Sequence, residues 1–362
     1  MSNSFGMPKI KIEFYSRGLS VIRRSGRGIA LLILKGQDAE KTSLTLKNLS
    51  ELEGLKLSKE NEKVIRLAFE GRPYKLKLEF YDESKRPLSQ LLKEIELDKF
   101  NYFAAPLATK EEQKAILSWH SEAQKRHWIR ETSVFIAYQE AEDSNLVVNW
   151  DVPWVVYEGT RYEGAEFTGI LAAVCAGLDL QRSLTYYDFK GKIDEAALPF
   201  AEDEDKAVNE GKLFLTYDGE RYKIARGVNS LVTHTAMMRE DMSKIRIMEG
   251  VNIIKSDIGE TFGKEYVGKV LNTYTNKQHF FALVNRVYFP TLFDVLLERA
   301  GGSRVDIDME ANEQYAITRG ADVDSMEDMQ IKAYNTGSIV FIAGRLSMLD
   351  AMEDLILKFW LA

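Results

Sequence analysis

The run Gly28-Ile29-Ala30-Leu31-Leu32-Ile33-Leu34 decides how the rest of the chain is interpreted, because it is apolar without interruption. A strand with apolar residues at consecutive positions needs cover on both faces, as strands of parallel sheets have. Strand-like and helix-like stretches then alternate as far as about residue 139. Further strands are predicted at 74–80, 102–107 and 134–139, and helices at 59–70, 87–96 and 109–130. This alternation predicts an α/β fold with a mainly parallel sheet and flanking helices.

The second half of the chain has a mixed pattern. A helix of small residues is predicted at 165–178, and Asp218-Gly219 predicts a hairpin between strands at 213–217 and 221–225. From about Met237 the apolar residues recur at helical spacing, and a long helix capped by Asn276 is expected to kink at Pro290. A strand at 339–346 follows. We therefore expect an α+β part after the α/β core.

Both ends of the chain alternate like strands. An apolar end needs a partner, because frayed ends are normally small and polar. The two ends therefore either close the sheet of their own subunit or add strands to a neighbour, and the pattern leaves both open. The residues that would line the buried faces are Ile10, Ile12 and Phe14 at one end and Leu355, Leu357, Phe359 and Leu361 at the other.

Composition excludes several classes of protein. The 362 residues are 45% hydrophobic and 28% charged, as in ordinary globular proteins. A net charge of −7 argues against nucleic acid as the main partner. Direct membrane insertion is not expected, since no apolar run is long enough to span a bilayer, and residues 1–8 do not indicate a secretory signal. The single cysteine, Cys175, permits no internal disulfide and fits a reducing compartment.

Charge is unevenly distributed along the chain. Residues 1–35 carry a net charge of about +6, and residues 301–362 carry about −6, by direct count. Two solvated faces would explain this. The other interpretation is that the two ends attract each other, within a subunit or between subunits, with Arg23 and Arg24 facing Glu353 and Asp354.

No constellation for catalysis, cofactor binding or metal binding is recognisable. The chain has no G-x-G-x-x-G after its first strand, no phosphate-binding loop and no G-x-S-x-G motif. His120 and His127 lie two helical turns apart, too far to share a metal, and are expected to be exposed helix residues. His234 leaves one alternative open, a hydrolase-like α/β enzyme that acts through this residue. A large α/β protein without a catalytic signature is more simply a building block.

Seven stretches carry a resemblance to a known family, and their order spans most of the chain. The fullest is KIRIMEGVNIIKSDI at 244–258; the others are RGIALL (27–32), FNYFAAP (100–106), RSLTY (182–186), RGVNSL (226–231), GSIVF (337–341) and LDAMED (349–354). With these stretches the sequence resembles the contractile tail sheath proteins of phages and R-type bacteriocins, especially the compact type of Gram-positive hosts.

The resemblance implies a structural subunit that polymerises helically around an inner tail tube and contracts to drive the tube through a bacterial envelope. It also implies a subtilisin-like sheet without protease activity, and terminal arms that add strands to neighbouring subunits. The expected partners are other sheath subunits, the inner tail tube protein, and baseplate and tail terminator proteins. Assembly in the bacterial host cytoplasm, and later presence in the phage tail or bacteriocin particle, are expected.

These expectations divide the chain into four parts. They are an N-terminal arm (1–24), an α/β core (25–236), a C-terminal α+β domain (237–348) and a C-terminal strand arm (349–362). The expected inter-subunit interface consists of Ile10, Ile12, Phe14, Arg23, Arg24, Glu353, Asp354, Leu355, Leu357, Phe359 and Leu361.

Overall fold

The computed structural model describes residues 28–36, 42–126, 132–137 and 142–360. Its strands are β1 (Ile29–Lys35), β2 (Ser43–Leu46), β3 (Lys75–Tyr81), β4 (Tyr102–Ala104), β5 (Ser133–Ala137), β6 (Val147–Trp150), β7 (Trp154–Tyr157), β8 (Thr160–Glu163), β9 (Ile193–Ala196), β10 (Lys212–Leu213), β11 (Leu215–Tyr217), β12 (Tyr222–Ile224), β13 (Arg304–Ile307) and β14 (Ile342–Arg345). Its α-helices are α1 (Lys59–Glu70), α2 (Leu88–Ile95), α3 (Lys110–Arg126), α4 (Gly164–Gly177), α5 (Glu204–Asn209), α6 (Ile245–Glu265), α7 (Tyr274–Leu283), α8 (Met309–Thr318) and α9 (Asp328–Ala333).

The largest sheet has seven strands in the order β10-β6-β5-β4-β1-β3-β2. Neighbouring strands from β10 to β3 run parallel, and β2 pairs antiparallel with β3 at the edge. At the centre Leu32 lies between Leu78 of β3 and Ala104 of β4. The prediction of a mixed α/β fold with a mainly parallel sheet is therefore confirmed.

The apolar run in β1 is covered on both faces. Ala30, Leu32 and Leu34 belong to one hydrophobic cluster, which α1 and α4 complete, while Leu31 and Ile33 belong to a second cluster with α2 and α3. Since side chains alternate along a strand, each face receives every second residue. The two layers of helices thus account for the absence of polar residues from residues 29–34.

Local signals set the helix boundaries well. Helix α1 has the predicted bounds, and the Ser58 hydroxyl accepts a hydrogen bond from the backbone N–H of Asn61 at its N-terminus. At the start of α3, Thr109 and Glu112 form the reciprocal hydrogen bonds of a capping box. The predicted hairpin at Asp218-Gly219 is also present, between β11 and β12.

The C-terminal part has its own hydrophobic cluster, which includes Phe280, Phe289 and Leu297. The helix predicted from Asn276 begins earlier, because the Thr273 side chain caps α7. After Leu283 the helix widens into a π-helical turn and then tightens into a 3-10 turn that contains Pro290, which agrees with the predicted kink. Among the described residues, no helix combines the length and apolar content needed to cross a membrane.

The strand predicted at 339–346 is shorter in the structure. It begins only at Ile342, because the carbonyl oxygen of Ile339 accepts a hydrogen bond from the Asn272 side chain (2.9 Å) and lies in a turn. The antiparallel pair of β13 and β14 is separate from the main sheet.

The prediction that His120 is exposed is wrong, and His127 lies outside the described residues. The His120 side chain is on the same face of α3 as Ile116 and Ala123, and only 2% of the residue is exposed. Its Nε2–H donates a hydrogen bond to the carbonyl oxygen of Thr132 (2.8 Å). Burial disfavours the charged ring and lowers the pKa of His120 to about 4.

We predict that His120 makes the subunit acid-sensitive. The unfolded chain takes up a proton near the ordinary histidine pKa of about 6.5, whereas the folded chain resists it until about pH 4. The unfolded state therefore binds more protons in this window, and stability falls as the pH falls. Between about pH 7.5 and 5 the histidine should cost about 2 kcal/mol of the free energy of unfolding.

The matched variant is His120→Gln, whose amide can still donate to Thr132 and does not titrate. Denaturant unfolding of both proteins at the two pH values measures the difference. A wild-type loss that exceeds the loss of the variant by about 2 kcal/mol supports the assignment. Equal losses in both proteins would show that the histidine is not the acid-sensitive group.

Candidate functional site

The last described residues divide into two segments that differ in burial and in their contacts with the rest of the subunit. Residues 349–354, called the root here, lie extended on the subunit, with alternate residues partly buried and exposed. The backbone N–H of Leu349 donates to the carbonyl oxygen of Leu296 (2.8 Å). The Arg246 guanidinium donates to the carbonyl oxygens of Leu349 and Val295. The root is therefore fixed to the C-terminal part by its backbone at this end.

Glu353 fixes the other end of the root by its side chain, of which only 5% is exposed. Its Oε1 accepts hydrogen bonds from the hydroxyls of Ser183 (2.8 Å) and Thr185 (2.6 Å). Its Oε2 lies 3.3 Å from Nζ of Lys244. The Thr185 hydroxyl itself accepts from the backbone N–H of Gly227 (3.0 Å), so its own hydrogen is free to point at Glu353. Hydrogen bonds to an ionised carboxylate are among the strong ones.

Two further ion pairs flank Glu353. Lys244 also binds Asp350, and Nη2 of Arg226 lies 2.6 Å from the carboxylate of Asp354. Burial alone lowers the pKa of Lys244, but its hydrogen bond to Asp350 and the nearby carboxylates outweigh this and raise the pKa above its ordinary value. The hydrogen bond to Asp354 raises the pKa of Arg226. Both cations are thus held in their charged forms next to the root.

Four of the stretches that carried the family resemblance meet at this place. Ser183 and Thr185 follow α4, Arg226 follows β12, and Lys244 precedes the first residue of α6. Each contacts the root, the fourth stretch. Sequence reasoning missed this cluster, because its members are up to 170 positions apart. The sequence offered one indication of this cluster, namely basic residues in two of the stretches (Arg226 and Lys244) and acidic residues in the stretch 349–354.

The segment after the root, residues 355–360, leaves the subunit and is called the tail here. Its apolar residues are 62% to 87% exposed, namely Leu355, Ile356, Leu357, Phe359 and Trp360. The strand predicted for this segment is not formed in the single subunit, where the tail has no strand assignment. A strand needs a hydrogen-bonding neighbour as well as an alternating pattern. Such a contiguous exposed apolar segment indicates a contact with another molecule.

The remaining candidate interface residues are placed only in part. Ile10, Ile12, Phe14, Arg23, Arg24 and Leu361 lie outside the described residues. Glu353 and Asp354 are bound by cations of their own subunit. Their pairing with Arg23 and Arg24 of a neighbour stays a prediction. Asp354 remains accessible for a second partner, since 71% of its side chain is exposed.

The edge of β14 is open among the described residues. Its partner β13 is closed on its outer side, because the Asn285 side chain bonds both the N–H and the carbonyl oxygen of Val305 (2.8 Å each). Val305 is opposite Gly344 in the pair, so the backbone groups of Gly344 also point away from the partner strand. Gly344 is exposed, and these groups are available to a further strand.

The His234 side chain is exposed and lies beside the Ser243 hydroxyl. The Ser243 hydroxyl donates to the carbonyl oxygen of Leu231 (2.9 Å), and Nε2 of His234 lies 2.8 Å from the same hydroxyl. The serine hydroxyl has a single hydrogen, for which the Leu231 carbonyl oxygen competes with the imidazole. A general base must accept that proton to activate the nucleophile. Within the described residues, no group of three or more histidine, cysteine, aspartate or glutamate side chains could hold a metal ion.

Comparison with known proteins identifies the family. No family model matches the chain. A tail sheath protein of Clostridium phage phiCD119 is 30% identical over an alignment of 363 positions. The alignment covers 97% of this chain and 98% of that protein. The fold is also similar to a sheath tail protein from Desulfitobacterium hafniense, with a TM-score of 0.65, 15% identity, and coverage of 78% of this chain and 90% of that one.

A second similar structure is the helical sheath of the anti-feeding prophage in its contracted state. It aligns with a TM-score of 0.65 and 11% identity over 92% of this chain and 93% of the other. The hydrolase alternative finds no support in these relatives. The chain belongs to the family of tail sheath proteins, which are structural subunits of phage tails and not enzymes.

Proposed function

We propose that the protein polymerises helically around an inner tail tube and contracts to drive that tube through a bacterial envelope. The observation that carries this proposal is the apolar tail, which follows a firmly held root and is exposed in the described part of the subunit. Support also comes from the relatives, of which one is a phage tail sheath protein and another has a structure in a contracted sheath.

The tail supplies a strand to a neighbouring subunit, in this proposal, and the open edge of β14 is the acceptor that we favour. Three of the four residues of β14, Ile342, Ala343 and Gly344, are uncharged, whereas charges commonly protect edge strands from pairing. Backbone hydrogen bonds would give affinity, and the alternating apolar residues Leu355, Leu357, Phe359 and Leu361 would set the register.

The N-terminal arm, residues 1–24, is the second connector in the proposal, through Ile10, Ile12 and Phe14. We also propose the division into a core (25–236) with a subtilisin-like sheet, a C-terminal domain (237–348) and a strand arm (349–362). Apart from Leu180, the buried members of the third hydrophobic cluster come from residues 254–307, which supports this division. Baseplate, tail terminator and inner tube proteins complete the proposed set of partners, with assembly in the host cytoplasm before release in the particle.

Attraction between the basic and acidic ends would steer the arms toward each other. Arg23 and Arg24 are the proposed basic partners of the acidic root, and the exposed Asp354 is easier to reach than the buried Glu353. Each exposed pair contributes only about 0–1 kcal/mol, but the contact repeats along a helical polymer. Assembly rates that do not change with salt concentration would contradict this attraction.

We predict that one face of the tail is buried on assembly. Leu357→Lys should slow sheath assembly about tenfold or more, because it places a charge on the face shared with Leu355 and Phe359. The matched variant Ile356→Lys should assemble much faster, since its face already carries Lys358. Light scattering and electron microscopy of purified subunits measure both.

The two tail variants should have the same thermal midpoint as the wild type, because both side chains are exposed in the single subunit. Equal slowing in both variants would refute the alternating strand. Normal assembly in both would remove the tail from the interface.

We predict that deletion of residues 1–20 leaves a folded subunit that does not assemble. The deleted segment precedes the buried strand β1, so the core should keep its thermal midpoint. Thermal unfolding and electron microscopy measure these two properties. A full-length control with Ile10, Ile12 and Phe14 changed to serine should fail to assemble in the same way.

Two results would argue against this role of the N-terminal arm. Long sheaths formed by the deletion variant would refute pairing with a neighbour. Early melting or aggregation of the variant would show that the arm pairs within its own subunit.

A further inference from the structure

We propose that Glu353 is a positioning residue that holds the root on its own subunit, so that the arm changes direction only after Asp354. This inference rests on the proposed role of the tail as a connector between subunits. Beyond that role, the inference names Asp354 as the last residue before the connector leaves the subunit, and the Glu353 side chain as the group that fixes this position.

The burial pattern of the root shows how far along the chain it is held on the subunit. Leu349, Ala351 and Glu353 are the partly buried positions, and the residues between them are exposed. An extended chain that lies on a surface has this period of two. The next inward position would be Leu355, but it is 85% exposed. Glu353 is therefore the last residue whose side chain is held in a buried position, since the Asp354 carboxylate that binds Arg226 is 71% exposed.

The groups that surround the Glu353 carboxylate make this contact strong. Two hydroxyls and one ammonium group surround the Glu353 carboxylate, at 2.6 to 3.3 Å. Loss of the carboxylate would leave Lys244 with one acidic partner fewer and remove the acceptor of the Thr185 hydroxyl, while the Ser183 hydroxyl would keep the Thr185 oxygen as an acceptor (3.1 Å). Removal of one partner from a buried, charge-assisted group is costly, whereas the ion pair of the half-buried Arg226 with the exposed Asp354 contributes less.

The residues that contact Glu353 belong to segments next to two large elements, α4 and α6. Ser183 and Thr185 belong to the segment after α4, the central helix on the main sheet, and Lys244 directly precedes α6. On the first turn of α6, Arg246 binds the start of the root, and Glu249 accepts a hydrogen bond from Tyr102 of β4 (2.5 Å). A pull on the tail would thus act on the main sheet and α6 together, and not on the small β13–β14 pair alone.

The experiment uses the full chain with Glu353→Ala, Glu353→Gln and the matched control Asp354→Asn. Hydrogen exchange of the unassembled subunit should be about tenfold or more faster at the amides of Leu349 and Ala351, the root amides for which a hydrogen bond is described, in Glu353→Ala, and intermediate in Glu353→Gln. Asp354→Asn should leave it unchanged, and the thermal midpoint should be similar in all proteins. Glu353→Ala should also give few or irregular sheaths. Unchanged exchange of the root in Glu353→Ala, or regular sheaths despite a loosened root, would overturn the proposal.

A covalent tether separates positioning from other roles of the carboxylate. The double variant Ser183→Cys/Glu353→Cys should assemble as poorly as Glu353→Ala, and a short bismaleimide crosslinker should restore regular sheaths. The native Cys175 is buried, which limits side reactions. If the tether instead blocks assembly, the root must leave its subunit, and the proposal is wrong. Failure of the wild-type chain to form sheaths would contradict the proposed function but not the exchange result.

Discussion

Apolar strand residues need cover from solvent. Strand β1 has this cover within the subunit, whereas the tail does not have it among the described residues. In β1 the cover comes from within the subunit, since α1 and α4 pack on one face and α2 and α3 on the other. The tail has the same kind of residues without any such layers. The first case creates a rigid core, and the second leaves an apolar segment exposed to solvent in the single subunit.

The root connects these two situations. It binds the rigid part through a carboxylate, Glu353, and through backbone contacts at Leu349, rather than through apolar packing. Polar contacts of this kind have strict geometry, so they fix the direction of the chain at the point of departure. In the proposed function the subunit uses a fixed point on the core and a segment that pairs with a neighbour, and residues 349–360 would supply one after the other.

Local patterns predicted those features that depend on neighbours in sequence. They include the bounds of α1, the capping box at Thr109, and the double burial of β1, because helical period, caps and apolar runs are local properties. The edge strand β2 was missed, since four residues give too short a pattern. His120 was misjudged because its burial depends on the packing of α3 against the sheet. The Glu353 site was out of reach, since its donors come from two distant stretches.

In the assembled sheath we expect the tail of one subunit to form a strand on another. A cryo-electron microscopy map of the sheath, at a resolution that traces side chains, would show this pairing. Residues 355–361 should pair with β14 of a neighbouring subunit while Glu353 stays on Ser183 and Thr185 of its own. A tail that folds back onto its own subunit, or that remains unpaired in the sheath, would rule out pairing between subunits.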